Sequence, residues 1–290
     1  MGAPKLPLTV VLPVLNEQRN LGAALESVSF AQDVLVVDSG SEDETAAVAK
    51  AHGARVVTFD YDGGRQKKKA WALASQSFPF HWVLFLDADE RVTADLEREI
   101  KRIVVEDDPE VSGAYVDREL IFMGRLMRSF SPNWNMRLFR PERARVEDLG
   151  LGDLAGTGDN EIHEHFVVSG ATVYLPPALK HEDYRGLTPW IDRHNKYATW
   201  EAHLYSKLAG EPLVADLLRL PRLDPFRRKR VLRRLWVRLP GRPALRFVVW
   251  YVFRGGVLDG VVGFYFCVLM AWYELLISLK LRELRRGDVM

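Results

Sequence analysis

Short apolar runs and helically spaced apolar positions alternate along the first hundred residues. Leu8-Thr-Val-Val-Leu12 is a β-branched run. Over residues 17–28 the period changes, and Leu21, Ala24, Leu25 and Val28 recur at helical spacing. Asp33-Val-Leu-Val-Val37 does not alternate, which predicts a strand buried on both faces of a parallel sheet. Ser41-Glu-Asp-Glu44 is a capping-box pattern that predicts a helix to about His52, with Gly53 just past its end. Arg55-Val-Val-Thr-Phe59 is a third strand, residues 65–75 a basic helix, His81-Trp-Val-Leu-Phe-Leu86 a fourth strand and residues 93–105 an amphipathic helix. The alternation predicts an α/β domain with a doubly wound sheet.

Ligands of such sheets bind beyond the carboxyl ends of the strands. Each predicted strand here ends in polar residues: Asn16-Glu17, Asp38-Ser-Gly-Ser41, Asp60-Tyr-Asp62 and Asp87-Ala-Asp89. Residues 106–185 are less regular, with short strands near Ala114, over 136–140 and over 171–175, and a Gly/Asp-rich loop over 149–160. Thr188-Pro189 is suited to open a helix running to about Leu208. Five prolines then break a basic segment, and an apolar helix is predicted over 257–286. The expected division is a domain of residues 1–210, with halves 1–105 and 106–210, followed by a helical region 211–290.

The net charge of +1 argues against a nucleic-acid partner. It conceals a basic block, with eleven Lys or Arg against Asp224 alone between Arg219 and Arg246. The single cysteine, Cys267, rules out a disulfide within the chain and agrees with a reducing cytoplasm. The N-terminal apolar run is short and carries Pro13, so a strand is expected there rather than a signal peptide.

Asp87-Ala-Asp89 places two carboxylates at a strand end, where they can share one divalent cation with phosphate oxygens. The plainer alternative is a pair of acids solvating the strand end. Asp38 can accept from the imide N–H of a uracil, with Gly40 keeping the backbone open, although a turn with a cap explains both residues as well. Glu17 reads equally as a ligand contact or as a first-turn acid.

Three segments resemble the signature set of glycosyltransferase family 2: Val14-Leu-Asn-Glu17, Val36-Val-Asp-Ser-Gly-Ser-Glu-Asp-Glu-Thr45 and Leu86-Asp-Ala-Asp-Glu90. Further on, Arg137-Leu-Phe-Arg140, Ile162-His-Glu-His165 and His194-Asn-Lys-Tyr197 resemble the branch of lipopolysaccharide-core β-1,4-glucosyltransferases. The resemblance implies a GT-A fold with a mixed sheet, a nucleotide-diphosphate sugar donor (a UDP-sugar by default), Mg²⁺ or Mn²⁺, and inversion at the anomeric carbon. By position, Asn16, Glu17, Asp38 and Gly40 would hold the nucleoside. Asp87 would contact ribose or donor sugar, and Asp89 would bind the metal with His181 as a further ligand. Glu164 is the best-matching catalytic base, although many members carry an acidic pair where this chain has His163-Glu164. Arg137, and less so Arg140, would face the departing diphosphate. Gly64-Arg-Gln-Lys-Lys-Lys69 resembles a motif whose lysine reaches donor phosphates, which nominates Gln66 and Lys68.

The block Arg227-Arg-Lys-Arg230 with Arg233-Arg234, interleaved with Phe226, Leu232 and Trp236, suits an anionic lipid surface. Gly260–Tyr273 carries no charge and is short for a full span, so an interfacial or re-entrant helix is expected. A buried packing helix and a homo-oligomer interface are the alternatives. The functional expectation is a hexosyltransferase acting on a glycan or lipid-linked acceptor, attached peripherally or monotopically to the cytoplasmic face of the membrane. The rival is a catalytically silent membrane-bound scaffold, which would need broken motifs. A pyrophosphorylase or a dehydrogenase would need a Gly-rich first loop, and Pro13-Val-Leu-Asn-Glu17 stands there instead.

Overall fold

A computed structural model describes residues 4–60, 67–147, 165–182, 186–213, 217, 220 and 225–287. The chain forms two compact units, one of residues 1–152 and 158–184, the other of 153–157 and 185–290.

The first unit is built on a mixed sheet. In chain order its elements are β1 (Leu6–Val14), α1 (Gln18–Ser27), β2 (Ala31–Asp38), α2 (Thr45–Ala51), β3 (Arg55–Thr58), α3 (Lys68–Ser75) and β4 (Val83–Phe85). Then come β5 (Glu90–Arg91), α4 (Ala94–Glu106), β6 (Val111–Phe122), β7 (Arg125–Leu126), β8 (Trp134–Phe139), β9 (Ala144–Val146), β10 (Phe166–Val168) and β11 (Ala171–Glu182). The sheet order is β3-β2-β1-β4-β8-β6-β11-β5, with β7 beside β6 and β9-β10 as a separate ribbon. The first four strands run parallel, β8 is antiparallel to both neighbours, and β11 runs parallel to β6. The chain moves outward from β1 to β3 and then returns to place β4 on the other side of β1. That reversal opens a crevice at the carboxyl ends of β1 and β4, where ligands of open α/β sheets bind.

Both faces of β1 are covered, which explains its unbroken apolar run. Leu8, Val10, Leu12 and Val14 enter a core shared with Leu21 and Leu25 of α1 and with Leu96, Ile100 and Ile103 of α4. Val11 faces the opposite core, with Phe85, Phe139, Phe166 and Ala72 of α3. Helix α4 is capped by Thr93, whose hydroxyl accepts from Leu96 N–H at 3.3 Å. The capping box at 41–44 is not formed. Helix α2 starts at Thr45, whose N–H donates to Asp43, because the Ser41 hydroxyl is engaged with Asp38.

Strand β8 departs from regular pairing where it matters for function. Leu138 pairs with Ala114 and Met136 with Tyr115, which leaves Arg137 as the extra residue of a bulge. Bulges redirect side chains and cluster beside active sites. Gly113 secures this region: an added Cβ would lie 2.9 Å from Met136 Sδ and 3.2 Å from Leu138 O. Gly113→Ala is therefore expected to cost about 1–3 kcal/mol of stability by overpacking, measured by urea unfolding.

The second unit is helical: α5 (Leu187–Gly210), α6 (Pro225–Arg238), α7 (Arg242–Val248) and α8 (Gly260–Arg286). Helix α5 starts after Gly186, at φ +84°, rather than at a Thr188 cap. Between α7 and α8 the chain makes one π turn over Val249–Phe253 and one 3₁₀ turn over Gly256–Asp259. The turn is tight, since a Cβ on Gly263 would lie 2.2 Å from Gly256 O. Glu274 is fully buried, with Arg242 Nε at 3.1 Å and Arg246 Nη2 at 2.6 Å from its carboxylate. Pairing is what permits such a charge in the interior.

Candidate active site

The loops after β1 and β2 are bonded to each other. Asn16 N–H donates to Ser41 Oγ at 2.9 Å, and Asn16 Oδ1 accepts from Glu42 N–H at 2.9 Å. Glu17 N–H donates to Thr45 Oγ1 at 2.8 Å, and Gln18 Oε1 accepts from Glu44 N–H at 3.0 Å. Asn16 adopts φ +54°, a conformation that asparagine tolerates better than most residues. Four nominated residues, Asn16, Glu17, Asp38 and Gly40, thus lie in one cross-braced pair of loops. Asp38 Oδ1 accepts from Ser41 N–H at 3.0 Å and Ser41 Oγ at 2.6 Å, and both bonds fall on that one oxygen. The Glu17 carboxylate accepts from Asn20 Nδ2 at 2.7 Å. Gly40 has φ +80° and open space where a Cβ would stand.

Beside these loops, at the end of β4, lies a cluster of opposite charges. Arg137 Nη2 donates to Asp87 Oδ2 at 2.7 Å and also to Glu90 Oε1. Lys69 Nζ lies 2.9 Å from Asp87 Oδ1, and Glu90 Oε2 accepts from Asp87 N–H at 3.0 Å. Glu90 is fully buried, whereas the Asp87 side chain is 28% exposed and Lys69 22%. Burial opposes ionisation of Asp87, but the Arg137 and Lys69 charges outweigh it and hold the carboxyl well below its ordinary range. Burial raises the Glu90 carboxyl, which Arg137 opposes and Asp87 reinforces. Arg137 stays charged despite its burial because both carboxylates face it.

Across the sheet edge, β11 pairs with β5 so that His181 stands opposite Glu90. His181 Nε2 lies 3.3 Å from Asp89 Oδ2, and His181 Nδ1 is buried with no hydrogen-bond partner. That separation is compatible with an ion contact of a protonated imidazole. It is near the spacing of about 3 Å between adjacent ligands on a small octahedral cation. Oxygen and imidazole donors are a set that a first-row divalent ion accepts. Among the described residues no group of three or more His, Cys, Asp or Glu forms a complete cage. Two protein ligands suit a cation that fills its remaining positions with phosphate and water.

Lys68 and Lys69 diverge. Lys68 is buried, with Nζ donating to the Val14 carbonyl at 2.8 Å at the end of β1, while Lys69 is the lysine on Asp87. Arg140 is a structural clamp, bonded to Asp107 Oδ1 at 2.7 Å and to the Val111, Asp107 and Asp108 carbonyls. Gln66 and Glu164 lie outside the described residues. Glu90 and Lys69 were not nominated from the sequence. Glu90 stood in the quoted motif, but nothing in its type predicts full burial, and three consecutive lysines give no sign of which one faces the strand end.

Residues 9–158 match the family model described as glycosyl transferase family 2. The chain belongs to glycosyltransferase family 2. It is an enzyme of nucleotide-sugar transfer with a GT-A-type mixed sheet. The family 2 chain is 28% identical over 232 residues to the lipopolysaccharide core biosynthesis glycosyltransferase LpsC of Rhizobium meliloti (strain 1021), covering 75% of this chain and 78% of that one. It is also 28% identical over 196 residues to the uncharacterized glycosyltransferase RT0209 of Rickettsia typhi (strain ATCC VR-144 / Wilmington), covering 64% of each. Among solved structures, this transferase aligns with glucosyl-3-phosphoglycerate synthase from Mycobacterium tuberculosis in complex with Mn²⁺, UDP and glucosyl-3-phosphoglycerate at 19% identity and TM-score 0.42, over 69% of this chain and 79% of that one. It aligns with the mannosyltransferase PcManGT from Pyrobaculum calidifontis in complex with GDP-Man and Mn²⁺ at 16% identity and TM-score 0.46, over 96% and 89%.

Proposed function

We propose that this glycosyltransferase moves a hexose, glucose by default, from a UDP-sugar to a lipid-linked or cell-surface glycan of the lipopolysaccharide-core class, with inversion. The observation that carries the reading is the two charged clusters after β4: Asp87 with Lys69 and Arg137, and Asp89 with His181. The core-glycan acceptor rests on the similarity to LpsC.

Asn16, Glu17, Asp38 and Gly40 line the nucleoside side, where the free Asp38 oxygen is available to an imide N–H. Asp89 and His181 would hold Mg²⁺ or Mn²⁺. Such an ion, when bound, neutralises charge on a departing diphosphate. Asp87 contacts ribose or donor sugar while orienting Lys69 and Arg137, and the phosphate-contacting role assigned to Gln66 and Lys68 rests on the motif resemblance alone. An inverting displacement needs a base to take the acceptor hydroxyl proton, a role assigned to Glu164. The acceptor oxygen bonds to the anomeric carbon as the bond to the diphosphate breaks, and the nucleoside diphosphate leaves.

The second unit supports attachment to a membrane. Residues 256–286 are long and apolar enough to cross a bilayer, with mean hydropathy 1.8 in the most apolar window and 33% of it buried. Phe253 is 78% exposed and Leu258 77%, at the turn before α8. An interfacial helix on the cytoplasmic face, where nucleotide sugars are made, fits this exposure and the basic block better than a full span.

The test is transfer to deep-rough lipopolysaccharide from UDP-glucose, UDP-galactose and GDP-mannose, read by mass spectrometry and by the anomeric proton of the product. The expected result is one accepted donor, a product of opposite anomeric configuration, and loss of turnover in EDTA that Mn²⁺ restores. Turnover that survives EDTA removes the metal from the reading, and a retained configuration removes the single displacement.

A further inference from the structure

We propose that an arginine-lined cavity in the second unit is a defined site for the phosphate headgroup of one anionic phospholipid. The inference rests on the membrane attachment above and adds a specific site to it. The cavity measures about 610 Å³, and its lining includes Arg238, Arg242, Arg282, Arg285, Leu275 and Leu279 but no acidic residue.

The arginines differ in what they already hold. Arg242 is committed to Glu274 and donates to Ser278 Oγ at 2.8 Å and Val237 O at 2.6 Å. Arg238 donates to the carbonyls of Arg234, Ala209 and Glu211, the last two at the end of α5, and has no carboxylate partner among the described residues. Arg282 and Arg285 are exposed, stand three residues apart on one face of α8, and have no carboxylate partner among the described residues. Three guanidinium groups without a counter-charge therefore line one concavity. A phosphate accepts paired N–H donors from such groups.

A plainer explanation places Arg282 and Arg285 in the last turns of α8 to complement the helix dipole. The α8 end, however, is already closed by Gly287, whose N–H donates to Glu283 and Leu284 carbonyls, and Arg238, which closes the end of α5, brings a further guanidinium to the same concavity. The apolar wall decides for a lipid over a free anion. Leu275 and Leu279 are 43% and 46% exposed, and the exposed row continues up α8 through Val268, Tyr265 and Val261. Arg282 follows Leu279 by three residues, about 4.5 Å along the helix. A molecule with phosphate at one end and an acyl chain at the other satisfies both surfaces, whereas inorganic phosphate uses only one.

The experiment is vesicle flotation of the full chain with phosphatidylcholine alone or with about one-fifth phosphatidylglycerol, in roughly 0.5 M salt to screen diffuse attraction. Arg282→Gln/Arg285→Gln is compared with Lys207→Gln/Arg286→Gln, which removes equal charge outside the cavity. Melting curves confirm that both variants fold. The expected result is retained binding to the anionic vesicles by the native chain, a loss of about tenfold in the cavity variant, and none in the control. Native mass spectrometry should show one phosphatidylglycerol per native chain and none on the cavity variant. Equal weakening of both variants overturns the site in favour of diffuse charge. Displacement by millimolar inorganic phosphate overturns the lipid as its occupant. If the native chain floats with neither vesicle, membrane attachment itself falls, an outcome distinct from loss of the site alone.

Discussion

Arg137→Met is expected to destabilise the first unit by about 3–5 kcal/mol, because it removes the close cation from the fully buried Glu90 carboxylate and leaves Asp87 beside it held by Lys69 alone. Arg137 is buried and joins Asp87 to Glu90 through one nitrogen. Methionine keeps much of the volume, so the loss is electrostatic rather than a cavity effect. The pH dependence separates the two. In the native chain Asp87 is held below its ordinary 3.8, so the stability from its ionised form is complete above 3.8 and is lost as pH falls through the depressed value. Without Arg137, Glu90 rises further and its penalty grows as pH rises past the ordinary 4.5, while Asp87 keeps only Lys69 against burial and its stabilising contribution shrinks. Native and variant stabilities should therefore lie furthest apart near neutrality and converge in acid, as measured by urea unfolding across pH. A gap independent of pH would assign the loss to packing.

Asp87→Asn is expected to lower kcat by about 10²–10³ while costing no more than about 1–3 kcal/mol in stability. Asp87 holds Lys69 on one oxygen and Arg137 on the other. An amide offers a single acceptor, so one of the two cations is released from its place. Arg137 keeps Glu90 as a partner, so Lys69 is the group that moves. The measurement pairs steady-state transfer with urea unfolding of the same sample. Lys69→Met should reproduce most of the kinetic loss with little change in stability, since its side chain is partly exposed. Full turnover in Asp87→Asn would remove this cluster from the chemistry.

The strands of the first half were legible because β1, β2 and β4 are covered on both faces and read as continuous apolar runs. The carboxylates at their ends followed directly, since the topology brings the ends of β1 and β4 together. The geometry of the second half was less legible. Pro176-Pro177 reads as the end of a strand, yet β11 resumes beyond an irregularity, with Leu175 opposite Val116 and Leu179 opposite Arg118. That resumption carries His181 to Asp89. The bulge that redirects Arg137 has no composition signal, because it is set by packing at Gly113 and Phe139. Of three successive lysines, the start of α3 at Lys68 decides which reaches Asp87. Ser41 fitted a capping box equally well, and the cross-brace to Asn16 and Asp38 prevailed because it satisfies donors of two loops at once.

In the proposed mechanism the ends of β1, β2 and β4 form one donor site completed by a cation on Asp89. Calorimetric binding of UDP, UDP-glucose, GDP-mannose and dTDP-rhamnose, with and without Mn²⁺, to the native chain and to Asp89→Asn tests that site. Binding of one nucleotide class that depends on Mn²⁺ and disappears in the folded Asp89→Asn variant is the result expected. Binding that is indifferent to both the ion and the substitution would rule out a cation on Asp89 as part of the donor site.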